Sequence, residues 1–266
     1  MDLASLLGLL LAIFSLLFSE IITGGSLAAL LNISAFILII GGTIGSTMIS
    51  YSMKEIMQLP SFLVKAFKNS EPNFNNIIDE IVRYAEIARK EGLLSLESKA
   101  SASSDKFIAH GLMLVSDAVE TDYMELILSS EIAKRQRHER LGAEIMGTAG
   151  GYSPTMGIIG TVMGLVHVLG NISNTDELAA SIAVAFLATF YGIGIANLFW
   201  LPLSGKLNRL AKQQKLADEI ILEGLIAIAE GKSPKLIEEQ LKSMALSEDM
   251  AQARDRETIV SAQGSD

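Results

Sequence analysis

The chain has no cysteine, three histidines, one tryptophan and five prolines among its 266 residues. Without cysteine there is no disulfide framework, no thiolate metal site and no cysteine nucleophile. The histidines stand apart from any His/Asp/Glu cluster at ligand spacing, which removes the usual metal enzyme. A phosphate-binding glycine loop is missing too, because Gly157-Ile158-Ile159-Gly160 lacks the Lys-Ser/Thr pair that would follow. The largest absence is of charge. No Asp, Glu, Lys or Arg occurs from Ile145 to Thr175 or from Leu178 to Gly205, and either run exceeds the roughly 20 apolar residues needed to cross hydrocarbon. With 50% hydrophobic residues and positive mean hydropathy, the chain cannot be an ordinary soluble domain.

What fills those runs is unusual. Gly157, Gly160 and Gly164 recur at offsets of three and four, with Thr161 beside them, so one side of that helix is nearly bare backbone. The second run repeats the device with Ser181, Ala185, Thr189, Gly192 and Ala196. Only a short polar turn, residues 170–177, separates the two runs, so they form an antiparallel hairpin over residues 149–203 with Thr161 and Thr189 near mid-span. Two readings are open from spacing alone: the small faces pack on one another, or they line a pathway or cradle a partner helix. Ion pumps and proton relays generally carry an ionisable group at depth, and these spans carry none. If ions cross, the titrating group must come from another chain. His167 lies toward the outer end of its span, where an interfacial hydrogen bond suits it better than a proton relay.

Two more spans precede the hairpin. Leu3 to Ser19 is uncharged, and Leu27 to about Ser50 follows a turn placed at Glu20–Ser26. The first stretch lacks a basic leader and a small-x-small cleavage site, so it is expected to remain as a span. The predicted fold class is therefore all-α, an integral membrane protein with four transmembrane helices in two pairs. All 21 Lys and Arg lie between Lys54 and Arg140 (12) or between Lys206 and Arg256 (nine), so these segments and both termini are expected on the cytoplasmic side. Tyr51, Tyr152 and Trp200 then fall at the inner boundary. The net charge of −9 argues against a nucleic-acid partner.

The expected divisions are a transmembrane hairpin at 1–51, a large helical cytoplasmic segment at 52–148, the second hairpin at 149–203 and a helical cytoplasmic tail at 204–266. Apolar residues at 77, 78, 81, 82 and 85 mark one face of a helix that Gly92 interrupts. A Ser-rich turn at Ser101–Ser104 leads to helices over Phe107–Val119 and from Asp122 to about Met146, the latter running into the second hairpin. Leu207–Glu230 is amphipathic, Ser233-Pro234 opens a short helix, and Glu248–Asp266 is expected to be disordered. Pro154 reads as a helix-start proline, Pro202 as one that ends or kinks its helix.

The run from Ala149 to Leu165, with Ala185-Phe186-Leu187-Ala188-Thr189-Phe190-Tyr191-Gly192 and Trp200-Leu201-Pro202, resembles the A subunit of the bacterial flagellar stator, the MotA/PomA family. Ala88-Arg89-Lys90-Glu91-Gly92-Leu93-Leu94-Ser95-Leu96-Glu97 resembles that family's torque segment, and the span order and Ser233-Pro234 also match. The resemblance implies a non-enzymatic, ion-driven machine in the bacterial inner membrane. It implies five copies of the chain around two copies of a single-span MotB/PomB-type subunit that supplies an Asp carboxylate, with the rotor protein FliG as the cytoplasmic contact.

By the same resemblance, Thr161, Thr189, Ala188, Gly157, Gly160 and Gly164 line the ion path, Pro154 and Pro202 couple it to the cytoplasmic helices, and Arg89, Lys90, Glu91 and Glu97 meet the rotor. The threonine at 161 favours sodium, whereas alanine at 188, where some sodium-driven members carry a second threonine, leaves a proton open. No bound cofactor or metal is expected beyond the transported cation. The competing readings are an ion-driven energiser of the ExbB/TolQ kind, which usually has one span before its large cytoplasmic segment, and a non-conducting membrane scaffold.

Overall fold

A computed structural model of the chain describes residues 3–68, 71–170 and 175–246. Four described helical stretches are long and apolar enough to cross a membrane, and no strand occurs among the described residues. Packing divides the chain into two compact units, 1–70 with 138–210 and 71–137 with 211–266. The expected disorder of Glu248–Asp266 falls outside the described residues, as does the middle of the turn at 171–174.

The first unit begins with α1 (Leu3–Ile22), which buries none of its residues. A helix apolar all round has no preferred protein face and suits hydrocarbon. The turn after it is shorter than the sequence implied, because α1 takes in Glu20 and continues to Ile22. The second span covers Leu27–Ser50, as expected, although its regular α-helix begins only at Ile33. Leu27–Leu30 forms a 3-10 turn, and α2 (Ile33–Ser50) opens where Asn32 accepts a hydrogen bond from the Ala35 N–H at 2.9 Å. An asparagine that satisfies an orphan amide sets the helix start more firmly than the apolar run does. Ala35, Ile39, Thr43 and Thr47, four apart, form the buried stripe of α2.

After α3 (Met53–Ile56) comes α4 (Leu59–Phe67), with Pro60 in its first turn. Its Phe62 and Ala66 bury against Ala143, Met146, Leu203 and Leu207. The second unit holds α5 (Phe74–Glu91), started by the Asn73 side chain and ended by Gly92 at φ 87°. That left-handed φ favours glycine, so the interruption read from the sequence is a helix stop. Next are α6 (Leu96–Ala102) and α7 (Lys106–Ser116), the latter capped by Asp105. The Ser-rich turn is therefore narrower than expected, since α6 includes Ser101. Helix α7 stops at Ser116 rather than Val119, and Ala118 takes a φ of 51° to turn the chain.

Helix α8 (Thr121–Gly170) runs unbroken for 50 residues with Pro154 inside it. The helix-start reading of Pro154 is thus overturned, because the residues before it are helical for more than thirty positions and the chain does not restart at the membrane. Helix α9 (Thr175–Ile195) passes through a π turn at Ala196–Trp200 into α10 (Leu201–Ala229). Pro202 accordingly does not end its helix. Gly231 at φ 73° precedes a last helix, α11, at 234–246. Ile78, Ile81, Leu112, Leu128, Ile220 and Leu225 are central to the second unit's core. There Arg135 lies 3.5 Å from the buried Asp218 carboxylate and over the Phe107 ring at 5.0 Å.

Candidate functional site

The small faces of α8 and α9 meet each other. A Cβ on Gly157 would sit 3.0 Å from the Thr189 Cα and 3.1 Å from the Ala188 carbonyl oxygen. One on Gly164 would lie 2.5 Å from the Ala185 Cβ, and one on Gly160 2.5 Å from the Ala188 Cβ. Glycine is required here by close approach of a second backbone. Of the two readings open from spacing, packing of the small faces on one another is therefore realised in this hairpin. The buried Ser153 hydroxyl adds a cross-link, donating to the Gly192 carbonyl at 2.9 Å.

That close approach brings Thr161 and Thr189 together. Their hydroxyls are in direct contact. The Thr161 hydroxyl can donate to its own helix at the Gly157 carbonyl, 3.1 Å away, or across the hairpin to the Ala185 carbonyl at 3.0 Å. Thr189 reaches the same Gly157 carbonyl at 3.3 Å. The ordinary back-bond of a mid-helix threonine is thus only part of what these hydroxyls do. Four oxygens, two hydroxyl and two carbonyl, converge at half-buried positions with no charge among them. Such a set resembles the neutral part of a shell for a hard cation, and it lacks the anion. Ala188, nearly fully buried at 2% exposure, fills the neighbouring position with a methyl group.

Along the other side of Gly160 and Ala188 an open cleft of about 510 Å³ runs between α2, α8 and α9. His167, Ser34 and Ser181 contribute its polar groups. The start of α2 is tied to α9 by Tyr191, whose hydroxyl accepts from the Asn32 N–H at 2.9 Å and donates to the Leu30 carbonyl. This tie, the Ser153 cross-link and the buried Thr43 and Thr47 were missed by sequence reasoning. Each depends on which helix faces face each other, and a lone Tyr or Ser in an apolar run carries no such signal.

Pro202 follows the π turn, where the Leu201 N–H reaches back to the Ala196 carbonyl. The Asn197 side chain donates to the Ile193 carbonyl at 2.9 Å. The sequence singled out Pro202 but not the π turn before it. In the other unit, Arg89 and Lys90 occupy the last turn of α5, Glu91 ends it, and Glu97 lies in the first turn of α6. All four are exposed, with Leu94 72% exposed between them. Nearby, burial and a hydrogen bond to Glu80 push the Tyr84 phenol well above its usual range. No group of three or more His, Cys, Asp or Glu able to hold a metal occurs among the described residues.

Four apolar spans and a hairpin whose polar centre is all hydroxyl and carbonyl define a multi-pass membrane subunit that would need a partner's charge to handle an ion. Residues 6–92 match the model for the motility protein A N-terminal region, and residues 99–219 that for the MotA/TolQ/ExbB proton channel family. Motility protein A of Bacillus subtilis is 36% identical over 91% of this chain and 90% of its own. Chemotaxis protein PomA of Vibrio alginolyticus is 30% identical over 91% and 94%. A solved structure of C. jejuni MotAB superposes with a TM-score of 0.86 at 29% identity, over 92% of this chain and 96% of that one. The chain belongs to the MotA/PomA family, as a MotA-type stator subunit of the flagellar motor and not an enzyme.

Proposed function

We propose that this chain conducts cations together with a MotB/PomB-type partner and converts their flow into rotation of the rotor, with sodium as the favoured ion. The observation that carries the reading is the Thr161–Thr189 contact, with the Gly157 and Ala185 carbonyls beside it, in runs that hold no Asp, Glu, Lys or Arg. A partner carboxylate brought to this cluster supplies the missing charge. A partly dehydrated sodium ion then finds hard oxygen ligands on both sides. One charge crossing 100 mV contributes about 2.3 kcal/mol, which drives a step only if ions cannot leak between steps. The glycine-tight contact of α8 with α9 serves that seal.

In this reading the chain lies in the bacterial inner membrane with both termini cytoplasmic, as the distribution of Lys and Arg supports. Five copies surround two partner chains. Residues 52–148 and 204–266 are the cytoplasmic segments, and Arg89, Lys90, Glu91 and Glu97 meet FliG. Pro154 and Pro202 pass movement at the ion site to the cytoplasmic helices. Similarity to a structure of MotAB supports a MotB-type partner.

Ala188 favours a second reading, with the proton as the ion, since it removes a ligand that sodium would use. Swimming speed measured against external sodium, at fixed pH and membrane potential, separates the two. Sodium dependence that Thr161→Ala abolishes is the expected result. Speed independent of sodium overturns the assignment to sodium.

A further inference from the structure

We infer that the outward apolar stripe of α3 and α4, formed by Met53, Met57, Pro60 and Val64, is seated in the boundary between lipid headgroups and acyl chains at the end of the membrane where α2 stops. Met53 is 60% exposed, Met57 75% and Val64 65%, and Pro60 is exposed as well. Spacings of four, three and four place them along one line of a helix. The line crosses the junction of the two helices, because Met57 and Gln58 both keep right-handed helical dihedrals there. Each of the four is followed by a polar residue: Lys54, Gln58, Ser61 and Lys65. One residue is a step of about 100° around a helix of 3.6 residues per turn, so a polar line runs beside the apolar one. The opposite side, with Phe62 and Ala66, is buried. A helix whose outer surface divides lengthwise in this way suits an interface, with one line in the acyl boundary and the other toward headgroups and water.

Depth fits the same occupant. Only Tyr51 and Ser52 separate the end of α2 from Met53, so at no more than about 3.6 Å per residue Met53 stays within about 11 Å of that end. The end itself is held against α8 by the Tyr51 and Thr148 hydroxyls at 2.8 Å and by the Ser50 and Tyr152 hydroxyls at 3.2 Å. The buried side of α4 packs on Ala143, Met146, Leu203 and Leu207. Those residues straddle the ends of the two charge-free runs, which begin at Ile145 and stop at Gly205. The contact is close, since a Cβ on Gly142 would lie 2.6 Å from the Phe62 ring. Helix α4 is thus fixed at the level where hydrocarbon gives way to water, and its outward apolar line meets lipid there. The outward surface of α2 is apolar down to Ile49, so the stripe prolongs a surface that already faces lipid.

The test uses the full chain, co-purified with its partner subunit, in nanodiscs of phosphatidylcholine and phosphatidylglycerol. Met57→Cys, Val64→Cys and Lys54→Cys each carry an NBD fluorophore, and the parent chain, which has no cysteine, gives the background. Quenching is read with a lipid bearing a nitroxide high on its acyl chain and, separately, with iodide in the water. Lipid quenching at Met57 and Val64 should exceed that at Lys54 about fivefold, with iodide quenching in the reverse order. Met57→Gln with Val64→Gln should lower lipid quenching of a Met53→Cys label about threefold, and Met57→Leu with Val64→Leu should leave it unchanged. Both pairs spare the buried side of α4, so loss of the fold does not enter. Iodide reaching Met57 and Val64 as readily as Lys54 would overturn the proposal by placing the stripe in water. Protection from both quenchers would overturn it too, by covering the stripe with a second copy or the partner subunit. So would equal lipid quenching of the Met53→Cys label in the glutamine and leucine pairs.

Discussion

Replacing Gly157 with alanine tests the close approach of α8 and α9 at a point where the two nearest atoms are both backbone. The added methyl would meet the Thr189 Cα at 3.0 Å and the Ala188 carbonyl oxygen at 3.1 Å, both backbone atoms that no rotamer change can move. Carbon contacts are comfortable at about 3.5 Å or more, so the helices must part by roughly 0.4 Å. Overpacking of this kind costs about 1–3 kcal/mol, or about 5- to 150-fold in the population of the correctly packed hairpin at 1.4 kcal/mol per tenfold. The Thr189–Gly157 hydrogen bond, already 3.3 Å long, then exceeds bonding distance.

The matched control is Gly151→Ala, whose Cβ meets nothing within 4 Å. There alanine should help slightly, since glycine in a helix is about 0.8–1.0 kcal/mol less favourable. Thermal unfolding of the purified stator in detergent and swimming speed of the variant strain are the readouts. Gly157→Ala should lower both, and Gly151→Ala should leave both unchanged or slightly raised. Equal behaviour of the two variants would refute the argument that the glycine is required by the neighbouring backbone.

Arg89→Glu should slow swimming more than Arg89→Ala, because an exposed pair is worth about 0–1 kcal/mol when lost but reversal adds repulsion; equal speeds would count against an electrostatic rotor contact. Pro154→Ala and Pro202→Ala should lower torque in a tethered-cell assay while the purified complex keeps its size, and loss of assembly would return both prolines to a structural role. Tyr84 gives a pH dependence. Its phenol is pushed up by burial and by Glu80, so its contribution to stability is full below the ordinary phenol range near 10 and is lost as pH rises through the higher folded value. Denaturant midpoints followed above pH 10 should therefore decline less steeply in Tyr84→Phe than in the parent.

The four spans were legible because absence of charge over 17 residues or more is a compositional signal that needs no partner to interpret. Gly92 was legible for a similar reason: a glycine ending an amphipathic pattern is a local event, and its φ of 87° bears that out. Thr161 and Thr189 could be placed near mid-span by counting from the polar turn, and the short turn made their helices neighbours. Their mutual contact depends on the rotation of each helix about its axis, which the glycine and alanine offsets constrain only when taken together. Ser153, Tyr191 and Thr43 had no periodic or compositional mark, since each is one polar residue whose meaning comes from the carbonyl or helix opposite. The apolar run from Leu27 marked the start of the second span, while the start of its regular helix at Ile33 is written in the Asn32 cap.

The two prolines show where a local rule gives way to its surroundings. Each removes a donor and crowds the carbonyl four residues back, so a break is the default expectation, and neither helix breaks. In α8 the carbonyl four residues before Pro154 belongs to Gly150, and Gly151 follows it, so the first two residues of the crowded turn carry no side chains. In α9 the winding changes before Pro202 is reached, with the Leu201 N–H already bonded to the wider i−5 partner, Ala196. A π turn persists where the surroundings favour it over the α register, and such turns recur at functional sites. Here it stands between the Thr189 end of α9 and the start of α10. A small change of winding at Ala196–Trp200 would rotate everything that follows it in α10 relative to the threonine pair. If the threonine pair is the ion site, as proposed above, the π turn rather than the proline ring alone is where its movement would be turned into movement of the helix that continues it.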